Sequence, residues 1–144
     1  GPFENYPDRC SAALVGLYDQ TVGEQFHDKY ASPQESGLKS GLRRWRLSDA
    51  EGNGIEVVGE EYFAASALPY DIPQLDGRSA AYKAHPDELV ADGCTHVCID
   101  GAHGGLGCIN SWRAQPLPEY RLPYGDYEFR FAITPLGKAN RQNP

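Results

Sequence analysis

Cys94, His96, Cys98, His103 and Cys108 crowd into the stretch CTHVCIDGAHGGLGC, residues 94–108. Thiolates and imidazoles at that density could hold a zinc ion. The spacing argues otherwise. In a strand, Cys94 and Cys98 share a face but lie about 13 Å apart, at about 3.3 Å per residue. Two thiolates on one zinc each sit about 2.3 Å from the metal, so this pair cannot share one. The same separation exceeds the roughly 4.4–6.8 Å Cα spacing of a disulfide. With Cys10 the chain has 4 cysteines in 144 residues. That is sparse for a disulfide scaffold, so buried or half-buried free thiols and no metal site are expected.

The overlapping stretch DGAHGGLGCINSW (residues 100–112) has glycines at 101, 104, 105 and 107 and ends on Trp112. Glycine permits dihedrals and close backbone approaches that other residues resist. A tryptophan ending such a loop has two readings. The ring is buried in the chain's own core, or it is presented to something outside. Asn110 and Ser111 are expected to hold the loop through short hydrogen bonds to backbone. His103 is expected to bond a backbone group, with contact to a ligand as the alternative. A phosphate-binding loop does not fit, because no lysine follows the glycines and no helical pattern begins there.

Acids outnumber Lys and Arg by 20 to 13, a net charge of −7, which argues against a nucleic-acid surface. The basic cluster RRWR does not change this. In a strand Arg43 and Trp45 point one way and Arg44 and Arg46 the other, and Trp45 is read as core or interface. No apolar run approaches the roughly 20 residues that span a bilayer. Neither nucleic acid nor membrane is expected as a partner, and a cytoplasmic location is expected. Hydrophobic content of 40% and charged content of 23% suit one domain with a moderate core.

Strands must position these residues. YEFRFAI sets Tyr127, Phe129, Phe131 and Ile133 against Glu128, Arg130 and Ala132, the alternation of a half-buried strand. THVCID offers Val97 and Ile99 to one face. IEVVGEEYFAAS predicts one long strand, or two joined at Gly59 through a bulge. GLRRWRL predicts another, and CSAALVGLYDQTV, apolar on both faces, a central one. Turn signals lie between them in YPDR, SPQESG, DAEGNG, LPYDIP, PLPEY and PYGD. With 11 prolines and 16 glycines, helix is confined to one or two short pieces. The best of them starts near Pro86 and carries Glu88 and Leu89. The expected fold is an all-β antiparallel sandwich, with residues 136–144 as a flexible tail.

Five blocks, in this order, carry a family resemblance: GPFENYPDR, YASPQESGLKSGLRRW, FAASALPY, HPDEL and IDGAHGGLGCINSW. Together they resemble the C-terminal, small-chain domain of the family-two glycoside hydrolase β-galactosidases, from Gly1 to about Pro135. The resemblance implies part of a hydrolase of terminal β-galactosides such as lactose, in carbohydrate metabolism. It places the catalytic carboxylates on a TIM barrel upstream. It also implies an antiparallel supersandwich similar to galactose mutarotases, of which residues 1–135 are expected to be the C-terminal half. Mg²⁺ and Na⁺ are implied for the parent enzyme through other domains, and no cofactor for this segment.

Retaining glycoside hydrolysis needs two carboxyl groups about 5–5.5 Å apart. Glu51, Asp71, Asp76 and Asp126 fall in turns, and Glu60 and Glu61 alternate across a strand, so no catalytic residue is assigned. By resemblance, Trp112 matches the family's tryptophan that reaches into the active site and stacks on the sugar. His103, Asn110 and Ser111 flank it in the substrate-binding set. ENYPDR is read as an architectural corner, with Asp8 and Arg9 available for an ion pair. The implied partners are the remaining β-galactosidase domains or a large chain, and a galactoside. A second copy of the chain is expected to join through cut sheet edges. Two other functions compete: a stand-alone carbohydrate-binding module presenting Trp112, and a mutarotase-type epimerase. The epimerase would draw its acid from His103 or His85 and its base from Glu119 or Glu88.

Overall fold

Among the described residues, period-two alternation produces four antiparallel strands in one sheet. A computed structural model describes residues 2–30, 36–75, 85–107, 110, 112 and 114–137. The strands are β1 (Lys39–Ser48), β2 (Gly54–Leu68), β3 (His96–Asp100) and β4 (Phe131–Leu136). β2 is the axis. β1 pairs along one side of it; on the other side β4 pairs with its first half and β3 with its second. The all-β antiparallel class is the one the sequence predicts. Among the described residues, helix amounts to one turn, α1 (Ile72–Leu75), and 3₁₀ turns at Gly23–Gln25, Pro86–Glu88 and Pro118–Tyr120. The helix expected near Pro86 is therefore a three-residue turn that stops before Leu89. α1 falls in LPYDIP instead, where the Asp71 carboxylate accepts the Gln74 N–H at 3.0 Å and supplies the N-terminal partner a helix needs.

The bulge at Gly59 is present. Pairing runs in step from Ser48↔Gly54 to Arg44↔Val58, and then Leu42 faces Phe63. A step from 44 to 42 on β1 thus matches a step from 58 to 63 on β2, and the surplus residues fold outward. A Cβ on Gly59 would lie 2.5 Å from the Glu61 carbonyl oxygen, so only glycine lets the chain double back here. The β1–β2 turn follows DAEGNG: the Asp49 carboxylate accepts the Asn53 N–H at 2.8 Å, and Gly52 takes a φ of +81°.

Directly opposed residues share a face of a sheet. Trp45, Val57 and Ile133 are in register, as are Leu47, Ile55 and Pro135, which makes one face apolar. The other face carries Arg46, Glu56 and Thr134. There the Glu56 carboxylate lies 2.6 Å from the Arg46 Nε and 3.4 Å from the Arg44 Nε. Val57, Phe63 and Ala65 are buried, with Leu42, Trp45, Ile55, Ile99 and Phe129 packed around them. Tyr6, Leu38 and Ala64 form a second cluster with Leu106. Ala64 and Ala65 are neighbours on β2 and face opposite ways, so the second half of β2 is covered on both faces. Residues 63–68 are all buried accordingly.

Two sequence expectations fail for the same reason. CSAALVGLYDQTV forms no strand, and Leu14, Val15 and Leu17 are 72, 82 and 101% exposed. Its apolar residues have no described strand to pair with or pack on. YEFRFAI is strand only from Phe131 onward, and of its aromatic face only Phe129 joins the core. Phe131, Ile133 and Tyr127 are exposed, because β4 is an edge strand with nothing described above it. Pro135 suits such an edge. Cys10 and Cys94 are exposed and Cys98 half-buried, all three as thiols. The exposure of Cys10 and Cys94 departs from the burial expected, while Cys98 fits it. Cys108 lies outside the described residues. Of the tail expected over 136–144, Leu136 instead closes β4, while 138–144 lie outside the described residues. Among the described residues, 17 large apolar side chains are exposed against 9 apolar side chains buried.

Because Phe63 sits at the centre of the larger cluster, Phe63→Ala is expected to lower the unfolding free energy by about 3–5 kcal/mol in urea denaturation. Phe131→Ala, on the open edge, is expected to cost clearly less.

Candidate functional site

The segment ENYPDR gives its polar side chains to distant backbone. Glu4 accepts the Gly37 N–H at 3.0 Å and the Tyr30 hydroxyl. The Asn5 side-chain oxygen accepts the Ser40 N–H at 3.0 Å and the Ser40 hydroxyl, while the Asn5 N–H donates to the Leu38 carbonyl at 2.9 Å. Tyr6 packs on Leu38, Ala64 and Leu106. Asp8 then reaches the glycine loop: its Oδ1 accepts the Leu106 N–H at 3.0 Å and its Oδ2 the Gly107 N–H at 2.8 Å. The corner expected here is real, and its acid clamps a loop instead of pairing with a distant cation.

β3 ends at Asp100 and delivers the chain into that loop. The glycines are required by space and dihedral. Gly105 donates to the Tyr120 carbonyl at 2.6 Å, and a Cβ there would lie 2.7 Å from the Tyr120 Cβ and 2.8 Å from the Asp8 carboxyl carbon. Gly107 has a φ of +72°, which disfavours any residue with a Cβ. His103 is half-buried, with its ring 5.5 Å from that of Tyr6 and its Nδ1 donating to the Gly104 carbonyl at 2.6 Å. It bonds backbone, the first of the two roles the sequence allows it.

Past this clamp, Asn110 turns the chain by accepting the Trp112 N–H at 2.8 Å, a side-chain-capped turn. Ser111 lies outside the described residues, with Cys108 and Ile109. The Trp112 residue is 87% exposed. A core tryptophan would be buried; this ring is presented outward, within five residues of the Asp8 clamp.

Among the described residues, carboxylates also gather beside the bulge at Gly59. Two adjoining grooves, of ≈500 Å³ and ≈260 Å³, run along the bulge and contain Glu60 and Glu61, with Glu128 in the second. Arg130 pairs with Glu60 at 3.9 Å and with Glu128, and all three side chains are about two-thirds or more exposed. Glu60 and Glu128 are thus solvated and ion-paired to Arg130, unlike the buried carboxyl group that serves as a general acid. Arg43 stacks on Tyr62, 4.6 Å from the ring centroid. The His85–Glu88 pair is a capping arrangement, with the His85 N–H donating to the Glu88 carboxylate at 2.6 Å. Among the described residues no three His, Cys, Asp or Glu side chains gather closely enough to share a metal ion.

Asp8 is the residue that sequence reasoning did not place at the site. The signal was there: a run of glycines leaves consecutive N–H groups that need acceptors, and a carboxylate offers two oxygens for a pair of them.

Comparison with known proteins gives a consistent picture. A family described as beta galactosidase small chain matches residues 1–133. The beta-galactosidase of Pseudoalteromonas haloplanktis is 35% identical over 134 residues, 93% of this chain and 12% of that protein. The beta-galactosidase of Halalkalibacterium halodurans is 37% identical over 135 residues, 92% of this chain and 13% of its own length. That of Vibrio vulnificus strain CMCP6 is 31% identical over 138 residues, 96% and 12%. The chain thus spans about an eighth of the length of these relatives.

The clamp carries a pH dependence. Partial burial raises the Asp8 pKa, but the N–H groups of Gly107 and Leu106 and the charge of Arg9 together bring it below its ordinary value. A carboxyl whose pKa is lower folded than unfolded stabilises the fold above the unfolded value and loses that contribution as pH falls through the folded one. The stability gap between the wild-type chain and Asp8→Asn, measured by urea denaturation, should therefore be constant near neutrality. It should begin to close only near about pH 4 and vanish in stronger acid.

Proposed function

The chain belongs to the beta-galactosidase small-chain family, and from that premise we propose that it is the non-catalytic part of a β-galactosidase that completes the active site with Trp112. The parent is a retaining glycoside hydrolase of terminal β-galactosides such as lactose. One observation carries this reading: Trp112 ends a loop clamped at its base, yet its residue is 87% exposed. A tryptophan offers a large rigid face with few torsions to freeze, suited to lie on the C–H face of a sugar. Asn110 sets the turn that presents the ring, with Ser111 beside it, and His103 holds the loop. The catalytic carboxylates, and the Mg²⁺ and Na⁺ of the parent, come from other domains.

Assembly with the rest of the parent is the second part of the role. Exposed Leu14, Val15 and Leu17, and exposed Phe131 and Ile133 on the apolar sheet face, are the surface that the remainder of the enzyme covers. Two facts support this occupant: the relatives extend far beyond the matched segment, and monomeric proteins rarely leave large apolar patches open. The sheet described here is then one part of a larger, mutarotase-like supersandwich. Separated from its parent, the chain buries the same surface against a second copy.

Replacing Trp112 by Ala in the full β-galactosidase containing this chain is expected to weaken galactoside binding, and binding of a glucose acceptor, by about 1–3 kcal/mol. The Michaelis constant then rises about 5- to 150-fold with little change in the thermal midpoint. A collapsed midpoint with an unchanged Michaelis constant for lactose would make Trp112 a folding residue and defeat the proposal. The chain purified alone is expected to turn over no nitrophenyl β-galactoside and to scatter light as more than a monomer. Turnover that disappears on mutating one of its glutamates would place the catalytic carboxylates here instead.

A further inference from the structure

An exposed ring stacks well only if its base is fixed, because each freely turning bond ahead of it must be frozen when the ligand binds. The loop before Trp112 has glycine at 104, 105 and 107, the residue that loses most conformational freedom on ordering. Something must hold it. Gly105 is tied to the Tyr120 carbonyl, and the two ties nearest the ring converge on one carboxylate: Leu106 N–H at 3.0 Å and Gly107 N–H at 2.8 Å, each on a different oxygen of Asp8. Gly105 lies against the same carboxyl group, with room for no Cβ between them. Asp8 itself is fixed from behind by Asn5 and Tyr6, which are 3% and 6% exposed and bonded or packed to Leu38. A chain of short contacts thus runs from the sheet core to the loop that presents the ring.

We infer that Asp8 is a positioning residue for galactoside binding: by clamping the Leu106 and Gly107 amides it fixes the loop that aims Trp112, without touching sugar itself. This rests on the role proposed above for Trp112. An amide at position 8 keeps the shape but offers one acceptor oxygen in place of two, and its NH₂ opposes a backbone donor. The loop then loses one of its two ties to position 8.

The test is a double-mutant cycle in the full β-galactosidase containing this chain, with Asp8→Asn, Trp112→Ala and the pair assayed on nitrophenyl β-galactoside. The Michaelis constant, kcat and thermal midpoint are recorded for each. Asp8→Asn is expected to raise the Michaelis constant several-fold with a smaller change in kcat. In the Trp112→Ala background it should raise that constant no further, since its effect passes through the ring. If Trp112→Ala weakens binding but Asp8→Asn does not, or if the two effects multiply, the positioning role is wrong and the role of Trp112 stands. An unchanged Michaelis constant in Trp112→Ala overturns the role of the ring and the positioning role with it. Should Asp8→Asn fail to give soluble enzyme, Gly105→Ala, which presses a methyl group onto the Asp8 carboxyl, takes its place in the same cycle with the same outcomes.

Discussion

Every backbone N–H withdrawn from water needs an acceptor, and the N-terminal segment of this chain meets that demand for loops far away in sequence. Glu4 serves Gly37, Asn5 serves Ser40, and Asp8 serves Leu106 and Gly107. Gly37, Leu106 and Gly107 lie outside the strands, and Ser40 lies at the register shift near the start of β1, so side chains supply partners that the ladder does not. Tyr6 lies among them and adds the apolar contact with Leu38, Ala64 and Leu106. Without Asp8 the Leu106 and Gly107 N–H groups of the glycine loop would lose these acceptors.

The sheet supplies the platform. β2 serves two neighbours on one side and one long neighbour on the other, and the bulge at Gly59 lets β1 stay paired along it despite the change in register. Cover is uneven along its length. The second half of β2 has the N-terminal segment and Leu106 on one face and Phe63, Ile99 and their neighbours on the other. On the β4 side of the first half, the apolar face stays open at Phe131 and Ile133. This half-open apolar side is the surface proposed above to be covered by the rest of the enzyme, and the chain matches about an eighth of the length of its relatives.

Clamp and open surface divide the chain into two kinds of region. Where polar side chains close on backbone, residues are fixed by specific geometry, and substitution by a larger residue meets atoms at once, as at Gly105. Where apolar side chains lie open, as at Leu14, Val15 and Leu17, they are exposed to solvent. Trp112 stands at the border, tied through Asn110 and the Asp8 clamp on its N-terminal side and open at its ring.

Local pattern sufficed for the all-β class, the β1–β2 turn, the bulge at Gly59 and the opposed faces of the RRWR strand, because each depends on near neighbours. It also sufficed for the backbone bond of His103 and the turn at Asn110, which span one or two residues. The same pattern misled at CSAALVGLYDQTV and at the start of YEFRFAI. Alternation records that a segment could pair and be buried, and only the fold decides whether a partner strand or a covering layer is there. The Asp8 clamp was beyond local reading for a related reason. Its two hydrogen bonds join residues almost a hundred positions apart, and a carboxylate shows which amides it will serve only once folding has brought them within 3 Å.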